Sequence, residues 1–388
     1  MRMEPFRIEV PDSTLEDLKA RLARTRWARD DGNADWRYGA NGDYLHALLD
    51  YWRTGYDWRR HEAEMNGFAH FRTRIDDIPI HFIHEKGRGP KPMPLILTHG
   101  WPWTFWDLRK VIRPLADPAS YGGDPADAFD VVVPSLPGFG FSTPLTTTGV
   151  NFVTTADLWV KLMREGLGYD KFAAQGGDWG ALVTSQLGHK YAEHLHGLHL
   201  NLSVPLDFIS RGGWFGAEDY AAGEQHHYAR TMAAAPTITS HVVVHTHDPQ
   251  TLAYGMHDSP AALAAWIVER RRAWSDCGGE VERRFSKDDL LTTLMIYWAT
   301  ESFVTSVRYY YEAKHRPREA SHARTPVVEA PTGIAVFPQD VLIPPRGWAE
   351  KYYDLRHWRV MEAGGHFAHA EEPDKLVEDV RAFFRTLR

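Results

Sequence analysis

The chain carries a single cysteine, Cys277, among 388 residues. An internal disulfide is therefore excluded, which suits a reducing compartment. Long apolar runs are missing as well. Nothing approaches the roughly 18 consecutive apolar residues that a spanning helix needs, and "MRMEPFRIEV" at the start holds no apolar leader segment. The expectation is a soluble, cytoplasmic protein. Blocks of like charge are absent: 44 basic and 51 acidic residues leave a net charge of −7 spread along the chain, which argues against nucleic acid as a partner. Neither G-x-G-x-x-G nor a Walker loop occurs, and "GFGFS" at 138–142 lacks the phosphate-loop lysine. Histidine pairs at 81–84, 194–199 and 245–247 match neither H-E-x-x-H nor a Cys/His zinc spacing and read as surface and packing residues. No cofactor and no metal are expected.

Aromatic residues, by contrast, are abundant: 15 Trp, 16 Tyr and 18 Phe. Some fill a core, yet so many also suit a cavity built for an apolar or aromatic ligand.

The organisation is α/β. Residues 1–90 read as an extension, with a helix in "PDSTLEDLKARLART" capped from Asp12 or Ser13 and a second in "YLHALLDYWRTGYDW". "FAHFRTRIDDIPIHFIHEKG" alternates like two antiparallel strands around "IDDIP". From 91 to 210, short apolar runs ("PLILTHG", "FDVVVPSLPG", "KFAAQGG", "LHGLHLNLSVP") alternate with helical stretches, the pattern of a mostly parallel sheet. Strand signals fade over 211–320, where "AALAAWIVERRRAW", "DDLLTTLMIYWATESF" and "SVRYYYEAKH" predict a helical lid. Residues 321–388 return to strands in "PTGIAVFPQD" and "HWRVMEAGGH" and close with a helix.

The chemistry concentrates in three places. "GGDWG" at 176–180 sets Asp178 between a strand and a helix, with glycines two positions either side. A nucleophile elbow of the α/β-hydrolase kind needs small residues there, because its strand-to-helix turn is too sharp for side chains. "THGWPW" at 98–103 follows a strand where the same fold keeps an oxyanion-hole donor, so the backbone N–H groups of Trp101 and Trp179 are the candidates. "AGGHFAHAEEP" at 363–373 offers His366 as base, with His369 second to it. Asp340 in "VFPQDVLIPP" is the candidate to orient that base, with Asp354 and Glu362 competing.

With an Asp on the elbow, "HGWP", "PSLPGFGFS" and "GGHFAHAEEP" together, the chain resembles the epoxide hydrolases, specifically their microsomal-type branch. "PFRIEVPDSTLEDLKARLARTRW" and the segment from "DWRYGANGDY" resemble that branch's N-terminal extension. The resemblance implies attack of Asp178 on an epoxide carbon, an ester intermediate, and its hydrolysis by water activated by His366 with Asp340. It also implies a lid tyrosine as acid, which "SVRYYYEAKH" places at Tyr310, with Tyr309 and Tyr311 as register alternatives and substrate contacts. At the second tyrosine position this chain has His241, which either shares the acid role or helps choose the carbon attacked; Tyr228 and Tyr254 are alternative partners. The implied partners are a small apolar or aromatic epoxide and water, with a homodimer compatible, and the implied settings are detoxification or natural-product assembly of the enediyne kind. The open alternatives are a haloalkane dehalogenase, in which Trp179 would bind halide, and a hydrolase-fold binding protein without turnover.

Overall fold

A computed structural model describes residues 1–212 and 215–388 and gathers the alternating and apolar runs into one nine-stranded sheet. The strands are β1 (Glu4–Phe6), β2 (His70–Ile75), β3 (Ile78–Glu85), β4 (Met93–Thr98), β5 (Phe129–Pro134), β6 (Phe172–Gly176), β7 (Leu195–Leu200), β8 (Val328–Val336) and β9 (Tyr353–Val360). Their spatial order is β1-β2-β3-β5-β4-β6-β7-β8-β9. Pairing is antiparallel from β1 through β3 to β5 and parallel from there on. Strands such as "MPLILT" and "FDVVVP" are apolar almost throughout because helices cover both faces of a parallel sheet. The "IDDIP" turn is a two-residue hairpin loop in which Asp76 and Asp77 both take positive φ, 50° and 62°, the twist that joins antiparallel strands.

The helices of the first ninety residues are α1 (Asp12–Ala23), α2 (Gly42–Thr54) and α3 (Trp58–Met65). Two expectations change here. Residue 11, not 12 or 13, is the cap of α1, and no side chain caps it; the Asp12 carboxylate pairs with Arg59 instead. The second helix is broken at Gly55, because Asp57 accepts the N–H groups of Arg59 and Arg60 and so starts α3 afresh. This region is built into the molecule. It contributes three strands to the sheet, and Leu48, Trp52 and Trp58 are buried in the common core.

Helices α4 (Arg109–Ala116), α5 (Phe152–Val160) and α6 (Trp179–Lys190) connect the central strands. Between β7 and β8 the chain is helical: α7 (Phe208–Arg211), α8 (Gln225–Ile238), α9 (Ser240–His247), α10 (Pro249–Asp258), α11 (Pro260–Trp274), α12 (Lys287–Ala299) and α13 (Phe303–His315). Short apolar-polar mixtures at α8 to α10 hid three of these from periodicity. After β8 come α14 (Arg346–Tyr352), α15 (Ala368–Glu371) and α16 (Pro373–Arg385). Register then decides what meets what. Thr98 of β4 pairs with Gly176 of β6, and beyond β8 and β9 an isolated parallel bridge joins Gln339 to Gly365. The loops carrying Trp101, Asp178, Asp340 and His366 therefore leave the same edge of the sheet, the carboxyl ends of parallel strands where open α/β folds place their sites.

Candidate active site

β6 stops at Gly176 and α6 starts at Trp179, so the chain turns within two residues. Asp178 absorbs the turn with φ 52° and ψ −125°, a conformation that non-glycine residues rarely adopt. The glycines are steric requirements. A Cβ on Gly180 would stand 1.9 Å from the Thr98 carbonyl oxygen, and one on Gly176 2.3 Å from the Gly180 carbonyl oxygen. Below the turn, His369 Nε2 donates to Gln175 Oε1 at 2.7 Å and Gln175 donates to Asn201 at 3.0 Å. Burial pushes the His369 imidazole down to about 3, with the neighbouring His199 adding to the effect. His369 is a neutral prop for the elbow.

Asp178 Oδ1 accepts the Trp101 backbone N–H at 2.7 Å, while Oδ2 faces His366 Nε2 at 3.2 Å. His366 Nδ1 donates to Asp340 Oδ1 at 2.7 Å, and that oxygen also takes the Val341 N–H at 2.6 Å. Trp179 is the first residue of α6, so its N–H belongs to the helix-terminal donors that lack an intrahelical acceptor. Burial disfavours charge on His366, yet Asp340 and then Asp178 outweigh it and push the imidazole up to about 10. His366 is thus an imidazolium held between two carboxylates. Of the competing acids, Asp354 is paired with Arg356 and Glu362 is exposed, so Asp340 alone reaches the histidine.

Two buried groups that no motif announces hold these loops. Glu371 accepts N–H groups from Asp276, Gly365 and Phe367, clamping both sides of His366. Arg271, reaching down from α11, pairs with Asp107 at 2.7 Å, donates to the Pro102 carbonyl at 3.1 Å and lies 4.2 Å from the centre of the Phe367 ring. In sequence, Arg271 is one of three consecutive arginines on a helix, and nothing local distinguishes it from Arg270, which pairs with Glu269, or from Arg272.

A cavity of about 340 Å³ opens above Asp178, lined mainly by aliphatic and aromatic side chains, with Trp179, His241, Trp274, Tyr310 and His366 at its inner end. Tyr310 is buried, its ring edge-on to Trp179 at 4.7 Å and to His241 at 5.4 Å. Burial, followed by the Asp178 charge, raises its phenol well above the usual tyrosine range, so it is a protonated donor. His241 stacks on the Trp101 ring at 5.1 Å, and burial with His245 beside it pushes its pKa well below 6.5, so it is neutral. The alternatives fall elsewhere. Tyr309 is bound to the Thr155 hydroxyl at 2.7 Å, Tyr311 points outward against His315, Tyr228 packs on Tyr220, and Tyr254 is 70% exposed. Tyr309 and Tyr311 therefore do not line the cavity: on a helix, adjacent residues point about 100° apart.

Known families and structures match nearly the whole chain. The family described as epoxide hydrolase N terminus matches residues 3–108, and the alpha/beta hydrolase fold matches residues 93–373. The chain is 37% identical to epoxide hydrolase 1 of Oryctolagus cuniculus over 409 aligned positions, covering 98% of this chain and 88% of that protein. Among solved structures it is similar to the Aspergillus niger epoxide hydrolase, with TM-score 0.86, 28% identity and coverage of 100% and 97%. It is likewise similar to the juvenile hormone epoxide hydrolase of the silkworm Bombyx mori, with TM-score 0.87, 27% identity and coverage of 100% and 95%. Among the described residues no helix is long and apolar enough to cross a membrane.

Proposed function

This chain belongs to the epoxide hydrolase family of the α/β-hydrolase fold, and on that premise we propose that it converts an apolar or aromatic epoxide to a vicinal diol through an alkyl ester on Asp178. The observation that carries the reading is the division of labour between the two Asp178 oxygens. Oδ1 is held by the Trp101 N–H, whereas Oδ2 lies beside His366 at the cavity floor. Oδ2 attacks an oxirane carbon, the ring C–O bond breaks, and its electron pair stays on oxygen, which takes the phenol proton of Tyr310. Neutral His241, beside Tyr310, offers no acidic proton of its own and acts in orienting the ring.

Ester formation removes one of the two charges that hold the proton on His366. Its pKa falls, the proton leaves to restore Tyr310, and a neutral imidazole oriented by Asp340 is generated only when it is needed. His366 then takes a proton from water, and the hydroxide adds to the ester carbon. The resulting oxyanion forms on Oδ1, in front of the Trp101 N–H and the free N–H at the start of α6. Collapse expels the diol oxygen, protonated by His366, and the carboxyl proton returns to the imidazole, closing the cycle.

A single turnover of styrene oxide in ¹⁸O-water tests this: label is expected in Asp178, and label appearing first in the diol would reject the ester route. Bromide release from a bromoalkane without diol formation from styrene oxide would instead favour dehalogenation. An aryl epoxide, met in detoxification or in natural-product assembly, is the substrate type that the aromatic inner wall suits best.

A further inference from the structure

The cavity has two polar ends. The inner end holds Asp178, His366 and Tyr310; the outer end passes exposed Val243 and His247 and the half-buried Lys314. Between them the wall is aliphatic, with Leu182, Val204 and Ile238 among its residues. Lys314 and Tyr310 stand four positions apart on α13, so they share a helix face about 6 Å apart along the axis. Lys314 Nζ donates to the Ser210 carbonyl of α7 at 2.9 Å, and among the described residues no carboxylate pairs with it. An ammonium group carries three donors, so two are left over. Asp178 is the only carboxylate among the residues lining the cavity. A half-buried cation facing an apolar cavity without a counter-charge is half of an ion pair, and the other half is available to whatever fills the cavity.

We propose that Lys314 binds a carboxylate carried by the substrate, so that the natural epoxide is an apolar or aromatic molecule with a carboxylate at the end remote from the oxirane. This rests on the reading of Asp178 as the group that opens the epoxide. A carboxylate fits better than a phosphate. The site offers one point charge and no arginine fork, and the partial negative charge at the C-terminal ends of α9 and α13, which reach here through His247 and Lys314, opposes a dianion more than a monoanion. The one-turn spacing from Tyr310 suits a spacer the length of a phenyl ring.

The test compares 4-(oxiran-2-yl)benzoate with its uncharged analogue 4-(oxiran-2-yl)benzamide on the full chain. The wild type is expected to prefer the acid in kcat/KM. Lys314→Gln, which keeps a donor for the Ser210 carbonyl but loses the charge, is expected to lower the acid-to-amide ratio about tenfold, and Lys314→Arg to retain most of it. A ratio unmoved by Lys314→Gln would overturn the assignment. A second measurement needs no variant: 4-ethylbenzoate should inhibit benzamide turnover by the wild type more strongly than 4-ethylbenzamide does, with the difference shrinking at high salt. Equal inhibition would likewise overturn it. Loss of all turnover by the wild type on the benzamide and on styrene oxide would remove the epoxide reading itself, a different result from equal use of acid and amide.

Discussion

At the scale of single residues, Asp178 holds a backbone conformation that costs of order 1–3 kcal/mol in a non-glycine residue, and the surrounding hydrogen bonds keep it there. The pair it forms with His366 carries consequences for rate and for stability. His366→Gln should let the ester accumulate, read by mass spectrometry as a substrate-sized increase on the peptide carrying Asp178; a good substrate leaving no adduct would remove His366 from the hydrolytic step. Tyr310→Phe should lower kcat/KM for styrene oxide about a hundredfold, the usual size of a lost general acid, with little change in melting temperature, since the hydroxyl alone is removed. The raised pKa of His366 also sets a pH dependence. A folded-state value of about 10 against 6.5 for an ordinary histidine means that the charged imidazole contributes stability in full below pH 6.5, lost as pH rises through 10. The melting temperature of wild type should therefore fall more steeply than that of His366→Gln between pH 7 and pH 10, and parallel curves would show that the imidazolium adds nothing to the fold.

At the scale of elements, the site is a set of loop ends pinned by groups that do no chemistry. Gly180 lets α6 start against β4: an alanine there would drive its Cβ into the Thr98 carbonyl, backbone that cannot step aside. Gly180→Ala should lower the melting temperature markedly and reduce kcat together with stability. The buried Arg271–Asp107 pair ties helix α11 to the loop that carries the Trp101 N–H. Breaking one partner of such a pair leaves an uncompensated charge, so Arg271→Met should destabilise by about 3–5 kcal/mol, measured by urea denaturation. A double replacement of Arg271 and Asp107 by apolar residues should recover part of that loss.

At the scale of the whole molecule, the first ninety residues and the core form one sheet. β1, β2 and β3 extend it, Val10 N–H is bound by Glu62, and Arg21 of α1 pairs with Asp258 of α10. Leu48 is fully buried in the common core, so Leu48→Ala should cost about 2–5 kcal/mol in a single cooperative transition rather than loosening a separate unit. A first transition confined to the N-terminal residues, followed by a second, would contradict that coupling.

The sequence by itself determined the central strands, the helices α11 to α13, the elbow and the chain order of Asp178, Asp340 and His366. Those rest on local chemistry: apolar periodicity, glycines where a turn excludes side chains, and a carboxylate at the elbow position. The resemblance narrowed the proposed acid to three consecutive tyrosines but not to one of them, because the choice depends on how α13 is rotated against Trp101 and Trp179. Only the tertiary structure decided that Tyr310 faces the cavity, that His241 is neutral, that Asp340 rather than Asp354 meets His366, and that Arg271, Glu371 and Lys314 have a place at the site. The pairing of Thr98 with Gly176 and of Gln339 with Gly365 brings together segments far apart in the chain. Burial then sets the charge of each group, and neither pairing nor burial has a signature within a few residues of sequence.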